Sequence, residues 1–322
     1  MPFSDVYQRQ VSLLIKILPH VAQEECFALK GGTAINLFIR DMPRLSVDID
    51  LTYLPVSSRE GSLAAIDAAM KRIAQRIRSV LRGVQIVPSV TNPEKAVIKL
   101  LIRHDDAQVK IEVTPVLRGC VYDQEMRSVS PSVEDTFGFA EIRVVSFADL
   151  YAGKIVAALD RQHPRDLFDV RDLLAREGID DNLRRAFIVY LLSHNRPMAE
   201  ILSPMRKPIW QEFQRGFAGM TAQPVALEEL IAAREALIAS IVGQMSEPHR
   251  RFLISFERGE PDWPLLGVPI ASDLPAVRWR QRNLDIPLQP KNGPNWFHTW
   301  RKPFPATTQA QDQAEPSWPN CS

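Results

Sequence analysis

Two carboxylates, Asp48 and Asp50, stand two residues apart in the run Arg44-Leu45-Ser46-Val47-Asp48-Ile49-Asp50-Leu51. A glycine pair, Gly31-Gly32, ends sixteen residues before Asp48. On a strand, side chains alternate between faces, so Asp48 and Asp50 share one face while Val47, Ile49 and Leu51 share the other. Two carboxylates on one face of a buried strand repel each other and are costly to desolvate; a divalent cation between them relieves both problems. Oxygen donors of this kind suit magnesium, which is held by one or two carboxylates together with substrate phosphates. Gly31 and Gly32 let the backbone turn tightly and bare its N–H groups. The segment Thr33 to Ile39 has helical spacing of apolar residues. Its N-terminus would offer free N–H groups and a positive dipole end to an anion. A phosphate cradle and a metal-binding strand joined by a short helix make a nucleoside-triphosphate site. Taken singly, a glycine pair is ordinarily a turn and an Asp-x-Asp pair a solvated edge. The order, the spacing and the apolar setting together favour the joint reading.

The elements that must position these groups follow along the chain. Apolar periodicity predicts a helix over residues 4–18, ended by Pro19, and a short strand from Phe27 to Leu29 leading into the glycines. Residues 59–81 read as a second helix, with Lys71, Arg72, Arg76, Arg78 and Arg82 on its outer face. That face is either simply solvated or a contact for RNA phosphates. Three strands follow, Val84–Val90, Ala96–Arg103 and Ala107–Val116, the last two joined by a turn at His104-Asp105-Asp106. In the third strand Glu112 shares a face with Lys110 and Thr114, mid-strand, where a carboxylate needs a partner. Residues 117–143 are weakly patterned and read as a connection with room for a short strand.

From Ser146, a good N-cap, a helix is predicted over Phe147 to Arg161, with Gly153 an oddity that close approach of a neighbour would explain. Lys154 and Arg161 lie two turns apart, on one face. A second helix starts near Pro164 and ends near Gly178. Its Asp166 and Asp169 are adjacent on the surface, and on pattern alone they read as an ordinary salt-bridge set. Residues 182–259 are helical in character. Between Asn182 and Gly216 six Lys/Arg stand against two Glu, interleaved with Phe187, Tyr190, Trp210 and Phe213. Both an RNA surface and plain packing fit that stretch. Leu227 to Met245 and residues 248–259 are further helices. An extended, proline-marked wrap from Trp263 and a short helix over 276–284 follow. After about Asp285 periodicity fails, and 286–322 is expected to be a disordered tail.

The fold expected is α/β (α+β): a small mixed sheet over residues 1–145, then a helical region over 146–285 that completes the active site. The chain has 322 residues, 45% of them hydrophobic and 24% charged, as in ordinary globular proteins. No apolar run approaches the ~18 residues of a membrane span, and the N-terminus has no secretory pattern. Cys26, Cys120 and Cys321 are far apart, which argues for a cytoplasmic protein and against zinc. A net charge of +1 leaves any RNA site to a local patch.

The Gly-Gly and Asp-x-Asp combination resembles the polymerase-β-like nucleotidyltransferase superfamily. Gly31-Gly32-Thr33-Ala34 with Arg44-x-Ser46-x-Asp48-Ile49-Asp50-Leu51 is more closely similar to the AbiEii/AbiGii toxins, the nucleotidyltransferase halves of bacterial toxin–antitoxin pairs. A second signature agrees: Ser146-Phe147-x-Asp149-Leu150-x-x-Gly153-Lys154 through Asp160-Arg161-x-x-Pro164-Arg165-Asp166-Leu167-Phe168-Asp169. The resemblance covers roughly residues 25–180, and more loosely reaches about 285. It implies a polymerase-β-like core and transfer of a nucleoside monophosphate from an NTP to an acceptor, which in the family can be the 3′ end of tRNA. It also implies growth inhibition countered by an antitoxin encoded nearby, with a part in phage defence. By that resemblance Asp48, Asp50 and Glu112 would hold two magnesium ions, Glu112 serving also as base. Gly31, Gly32, Thr33, Ser46, Lys154, Arg161 and Asp169 would bind the nucleotide, with Lys154 neutralising the leaving pyrophosphate. Asp166 would orient that lysine or touch the nucleotide. Two rivals stay open: an antibiotic-modifying nucleotidyltransferase, and a catalytically weak nucleotide-binding protein that acts through a partner.

Overall fold

The computed structural model describes residues 4–284, and its centre is a seven-stranded mixed sheet in the order β3-β4-β5-β2-β1-β7-β6. The strands are β1 (Phe27–Lys30), β2 (Asp48–Tyr53), β3 (Gln85–Val90), β4 (Val97–His104), β5 (Ala107–Arg118), β6 (Glu125–Ser128) and β7 (Glu141–Val144). β2 runs parallel to β5, and β1 to β7; the other neighbours are antiparallel. The hairpin between β4 and β5 turns on Asp105-Asp106, and Asp105 takes a left-handed backbone at φ 51°, which Asp tolerates better than most residues. β3, with Pro88 inside it, is an edge strand, where a missing N–H does least harm.

Helices α1 (Asp5–Ala22) and α3 (Arg59–Val80) pack on the sheet. They bury Leu14, Ile17 and Leu18 of α1 and Ile66, Ile73 and Ile77 of α3 together with Ile49, Leu51, Ile111 and Val113 of the central strands. The expected stop at Pro19 does not occur: α1 continues to Ala22 with Pro19 inside. The missing N–H weakens that turn, but Leu18 and Val21 are buried on either side of it, so packing carries the helix past. The basic face of α3 is largely engaged within the protein. Arg72 and Arg76 both hold Glu24, at 2.6 Å each, and Lys71 holds Asp67 at 2.7 Å.

The weakly patterned stretch 117–143 holds more structure than its sequence suggests: β6, α4 (Pro131–Phe137) and β7. These elements are short, and β6 is mostly exposed, so no periodicity builds up. The change from sheet to helices falls between Val144 and Phe147. There α5 (Phe147–Arg161) begins behind a Ser146 cap that accepts from the Asp149 N–H at 3.0 Å. Next come α6 (Pro164–Arg176), α7 (Asp181–Leu192), α8 (Met198–Leu202), α9 (Trp210–Gly216) and α10 (Leu227–Ile238). The chain then forms α11 (Glu247–Glu257), α12 (Trp263–Leu266) and α13 (Pro275–Leu284). The helix expected to reach Met245 passes into a π-helical turn at Ala239–Gly243. The wrap after Trp263 is helical in part, as α12 and a 3-10 turn at Pro269–Asp273. The described residues belong to one compact unit; the expected tail, 286–322, lies outside them.

In the basic, aromatic stretch 182–216 the α7 half packs into the protein, whereas α9 buries no residue and Trp210 is exposed. Phe187 and Tyr190 are buried. Arg184 donates to the carbonyls of Ser240 and Ile241, and Arg206 pairs with Glu235 at 2.9 Å. Gly153 is explained by Tyr190: a Cβ there would lie 3.2 Å from the Tyr190 ring. We expect Gly153→Ala to change stability by less than about 1 kcal/mol, because gained helix propensity offsets the tight contact. Gly153→Leu should cost on the order of 2 kcal/mol by forcing α5 from α7. Urea unfolding of the two variants checks both, and equal stability would contradict the contact.

Candidate active site

Parallel pairing of β2 with β5 sets Asp50 beside Glu112 and Asp48 beside Lys110. On the outer sides Lys30 of β1 is the register partner of Asp50, and Lys99 of β4 that of Glu112. The sheet therefore carries one row, Lys30–Asp50–Glu112–Lys99, with two like charges side by side at its centre, a destabilising arrangement unless cations are near. Lysines supply them. Lys110 reaches Glu112 at 3.0 Å and Asp48 at 3.5 Å, and Lys99 reaches Glu112 at 3.1 Å. Lys30 donates to Thr114 at 3.0 Å.

These surroundings divide the carboxylates. Burial pushes the Asp50 carboxyl above the usual carboxylate range against the pull of Lys110 and Lys30, and the Asp48 and Glu112 charges add to the rise. Burial also opposes ionisation of Glu112, but its bonds to Lys110 and Lys99 hold it below its ordinary value. Lys30 is pushed down, chiefly by burial.

Gly31 takes a left-handed φ of 78°, and a Cβ on it would lie 2.7 Å from Asp50 Oδ2. A Cβ on Gly32 would lie 2.7 Å from Ser46 Oγ and 2.9 Å from Arg44 Nη2. Both positions thus exclude a side chain, the first by conformation as well. The short helix that follows, α2 (Gly31–Ala34), runs on as a π-helical turn at Ile35–Ile39. Thr33 is fully buried and donates to the Asp48 carbonyl at 2.5 Å, with Ser46 Oγ 3.1 Å away.

Behind the glycines lies a buried ion network. Arg44 donates to both oxygens of Asp169, at 2.7 and 2.5 Å. Lys154 lies 3.0 Å from Asp169 and 2.9 Å from Asp166. Arg161 donates to both oxygens of Asp166, at 2.5 and 2.9 Å. Asn36 bridges Asp169, at 3.3 Å, and the Gly32 carbonyl, at 2.8 Å. Burial alone would raise both carboxyls, but Lys154 with Arg161, and Arg44 with Lys154, hold Asp166 and Asp169 well below the usual range. The same two carboxylates keep Lys154 charged against its burial. Three cations face two carboxylates, and Lys154 has three N–H donors for two partners, so the network presents surplus positive charge.

A cleft of about 530 Å³ joins these parts. Gly31, Gly32, Asp50, Glu112, Lys154 and Arg161 line it, with Lys30 and Thr114. Asp48 and Ser46 line a neighbouring depression beside Arg165. Thr33, Asp166 and Asp169 line neither, and sit buried beneath the groups they hold. The bidentate Arg44 contact and the parts of Lys30 and Lys99 are absent from the sequence reading, which placed Lys110 on the Glu112 face without its partners. Arg44 was visible only as a motif residue, and the lysines only as the alternate positions of strands whose register was unknown. Among the described residues no group of three or more His, Cys, Asp and Glu side chains is arranged to hold a metal ion. The donor chemistry nonetheless fits magnesium: Asp48 and Asp50 share a strand face, and an ammonium already lies between Asp48 and Glu112 where a cation is wanted.

A mixed sheet with paired carboxylates on its central strand, facing a glycine turn and a buried lysine from a following helix, has the architecture of a nucleotidyltransferase. Residues 12–283 match the family described as "Nucleotidyl transferase AbiEii toxin, Type IV TA system". The chain belongs to this family of toxins of type IV toxin–antitoxin systems. Its fold is that of MenT4, a nucleotidyltransferase toxin from Mycobacterium tuberculosis H37Rv, with TM-score 0.60 and 18% identity over 81% of this chain and 93% of that one. No curated protein sequence matches.

Asp169→Asn should lower stability at pH 7 by about 3–5 kcal/mol, since it leaves two buried cations short of a counter-charge. The Asp169 carboxyl is depressed by folding, so its contribution is complete above the unfolded value of about 3.9 and is lost as pH falls through the folded one. Urea unfolding should show a constant gap between wild type and variant from neutral pH to about pH 5, narrowing below about pH 4. A gap under about 1 kcal/mol at pH 7 would contradict the network.

Proposed function

We propose that this toxin transfers a nucleoside monophosphate from an NTP to the 3′ end of a tRNA and thereby arrests growth, as a response to phage infection. In this reading it acts in the cytoplasm and is restrained by a cognate antitoxin encoded by a neighbouring gene. Among the described residues no helix is long and apolar enough to cross a membrane. The observation that carries the reading is one cleft with Asp50 and Glu112 on the sheet side and Gly31, Gly32, Lys154 and Arg161 opposite.

In the proposed arrangement residues 1–145 form the nucleotidyltransferase core and 146–285 complete the site. Asp48, Asp50 and Glu112 would hold two Mg²⁺ ions, which supply Lewis-acid stabilisation of the reacting phosphate. The Gly31 and Gly32 turn, with Ser46, lies against the triphosphate, and Thr33 fixes the turn to β2. Lys154 and Arg161 take the charge that grows on the leaving pyrophosphate. Asp166 and Asp169 position them and keep the lysine charged. The acceptor's hydroxyl oxygen forms the new bond to the α-phosphorus as the bond to pyrophosphate breaks. The proton passes to Glu112. That role requires Lys99 and Lys110 to leave Glu112, and the phosphates offer them a competing partner.

Labelled NTPs incubated with Mg²⁺ and total RNA test the activity directly. Label in the tRNA band is the expected result; no label there, or label on an aminoglycoside in a parallel reaction that supplies one in place of RNA, would overturn it. Asp48→Ala and Asp50→Ala should each reduce transfer on the order of a thousandfold while the fold survives. Full activity in either would remove the two-metal assignment. Lys154→Ala should slow single-turnover transfer at saturating NTP by about 10²- to 10³-fold, and stability measured alongside separates this loss from unfolding.

A further inference from the structure

The end of β5 does not continue the regular pairing. Thr52 pairs with Thr114, but the next residue, Tyr53, pairs with Arg118, so Pro115, Val116 and Leu117 are extra on β5. Such a bulge bends the strand and re-aims the side chains around it. Val116 is half exposed, and it lines both the catalytic cleft and a second cavity of about 850 Å³. Arg118, Arg59, Arg278, Arg282 and Trp279 line that second cavity, the last three from α13.

Arg118 is the unusual member. It is 7% exposed, and its Nε and Nη1 atoms are buried with no hydrogen-bond partner. Its own burial and then the positive charge of Arg59 disfavour its charge, more than Tyr53 favours it. A buried guanidinium without a partner is costly, and its planar fork matches phosphate oxygens. Arg59 is held by Glu94 at 2.9 Å, and Asp273, the one acid lining the cavity, is taken by Arg278 at 2.5 Å. No carboxylate is left for Arg118 among the described residues lining the cavity. Trp279 is 64% exposed, on a wall otherwise rich in arginine. A buried cation lacking an anion beside an open indole matches the combination that holds single-stranded nucleic acid, charge for the backbone and an aromatic face for a base.

We propose that this cavity binds a single-stranded polynucleotide, one phosphodiester on Arg118 and the adjoining base stacked on Trp279, the strand passing over Val116 into the catalytic cleft. It is thus the docking site for the acceptor strand, and in that respect rests on the nucleotidyl-transfer reading. The test is fluorescence anisotropy with a short labelled oligouridylate. Trp279→Ala, an exposed change that leaves the fold intact, should weaken binding about tenfold or more. Arg118→Met should weaken it similarly and reduce the salt dependence by about 0.7 of a logarithmic unit, the loss of one single-strand phosphate contact. A non-hydrolysable NTP, titrated calorimetrically, should bind both variants as it binds wild type. Wild-type oligonucleotide affinity in both variants would overturn the proposal. So would displacement of the oligomer by UMP or inorganic phosphate at equal phosphate concentration, which would mark a site for small phosphates. Trp279-dependent oligonucleotide binding in a protein that binds no NTP would keep this site and overturn the transfer reading instead.

Discussion

The pairing of Arg44 with Asp169, closed by Lys154 and Asp166, is the constraint on which the rest of the site depends. Arg44 leads into the carboxylate strand, Asp169 and Asp166 lie on α6, and Lys154 lies on α5. The network is therefore the electrostatic seam between the sheet and the helices that follow it. Arg40 repeats the device at the edge, with both its terminal nitrogens on Glu177 at 2.7 and 2.6 Å. Buried ion pairs are weak sources of net stability, because desolvation takes back much of the attraction. Their geometry is another matter: two bidentate contacts allow few alternative registers between α6 and the glycine turn.

That rigidity reaches the cleft through contacts that leave no room for adjustment. Arg44 closes on Gly32, Asp50 on Gly31, and Asn36 ties Asp169 to the Gly32 carbonyl. The glycine turn is thus held from the sheet side by Asp50 and from the helix side by Arg44. Lys154 also lies against Asp169, so the turn and the lysine share one support. A site that must hold a polyanion gains from such preorganisation, since its cations are oriented before the ligand arrives.

How much of this could be read from the sequence depends on where each signal is stored. The shared face of Asp48 and Asp50, the Ser146 cap, the α5 and α6 helices and the β4–β5 turn are local, written in spacing and residue type. Glu112 was legible because a carboxylate in mid-strand is conspicuous. Its neighbours were not: that Lys110 stands beside Asp48 and Lys99 beside Glu112 follows from register, a long-range property no single strand displays. The surface salt-bridge reading of Asp166 and Asp169 failed for a related reason. Helix spacing puts them on one face correctly, but only packing reveals that this face is buried against Arg44 and Lys154. Pro19 and the stretch 117–143 show the opposite limit, where tertiary contacts override a strong local signal or supply one where the sequence has little.

Charge balance links the two halves of the cleft. On the sheet, Asp48, Asp50 and Glu112 face Lys30, Lys99 and Lys110, three against three, and the salt bridges there are partly open to solvent. At the seam Arg44, Lys154 and Arg161 face two carboxylates, and all of these but Arg161 are almost wholly buried. Solvent-exposed pairs are worth little and exchange partners readily, whereas breaking the buried set is costly. In the proposed reading an incoming triphosphate would therefore meet two kinds of positive charge. The buried one is fixed in place and cannot be drawn away. The exposed lysines can follow the phosphates, and in doing so they release carboxylates that lie side by side. In the proposed two-metal reading, the affinity of those carboxylates for a divalent cation would rise as the lysines move off, so nucleotide and metal binding would reinforce each other through charge alone.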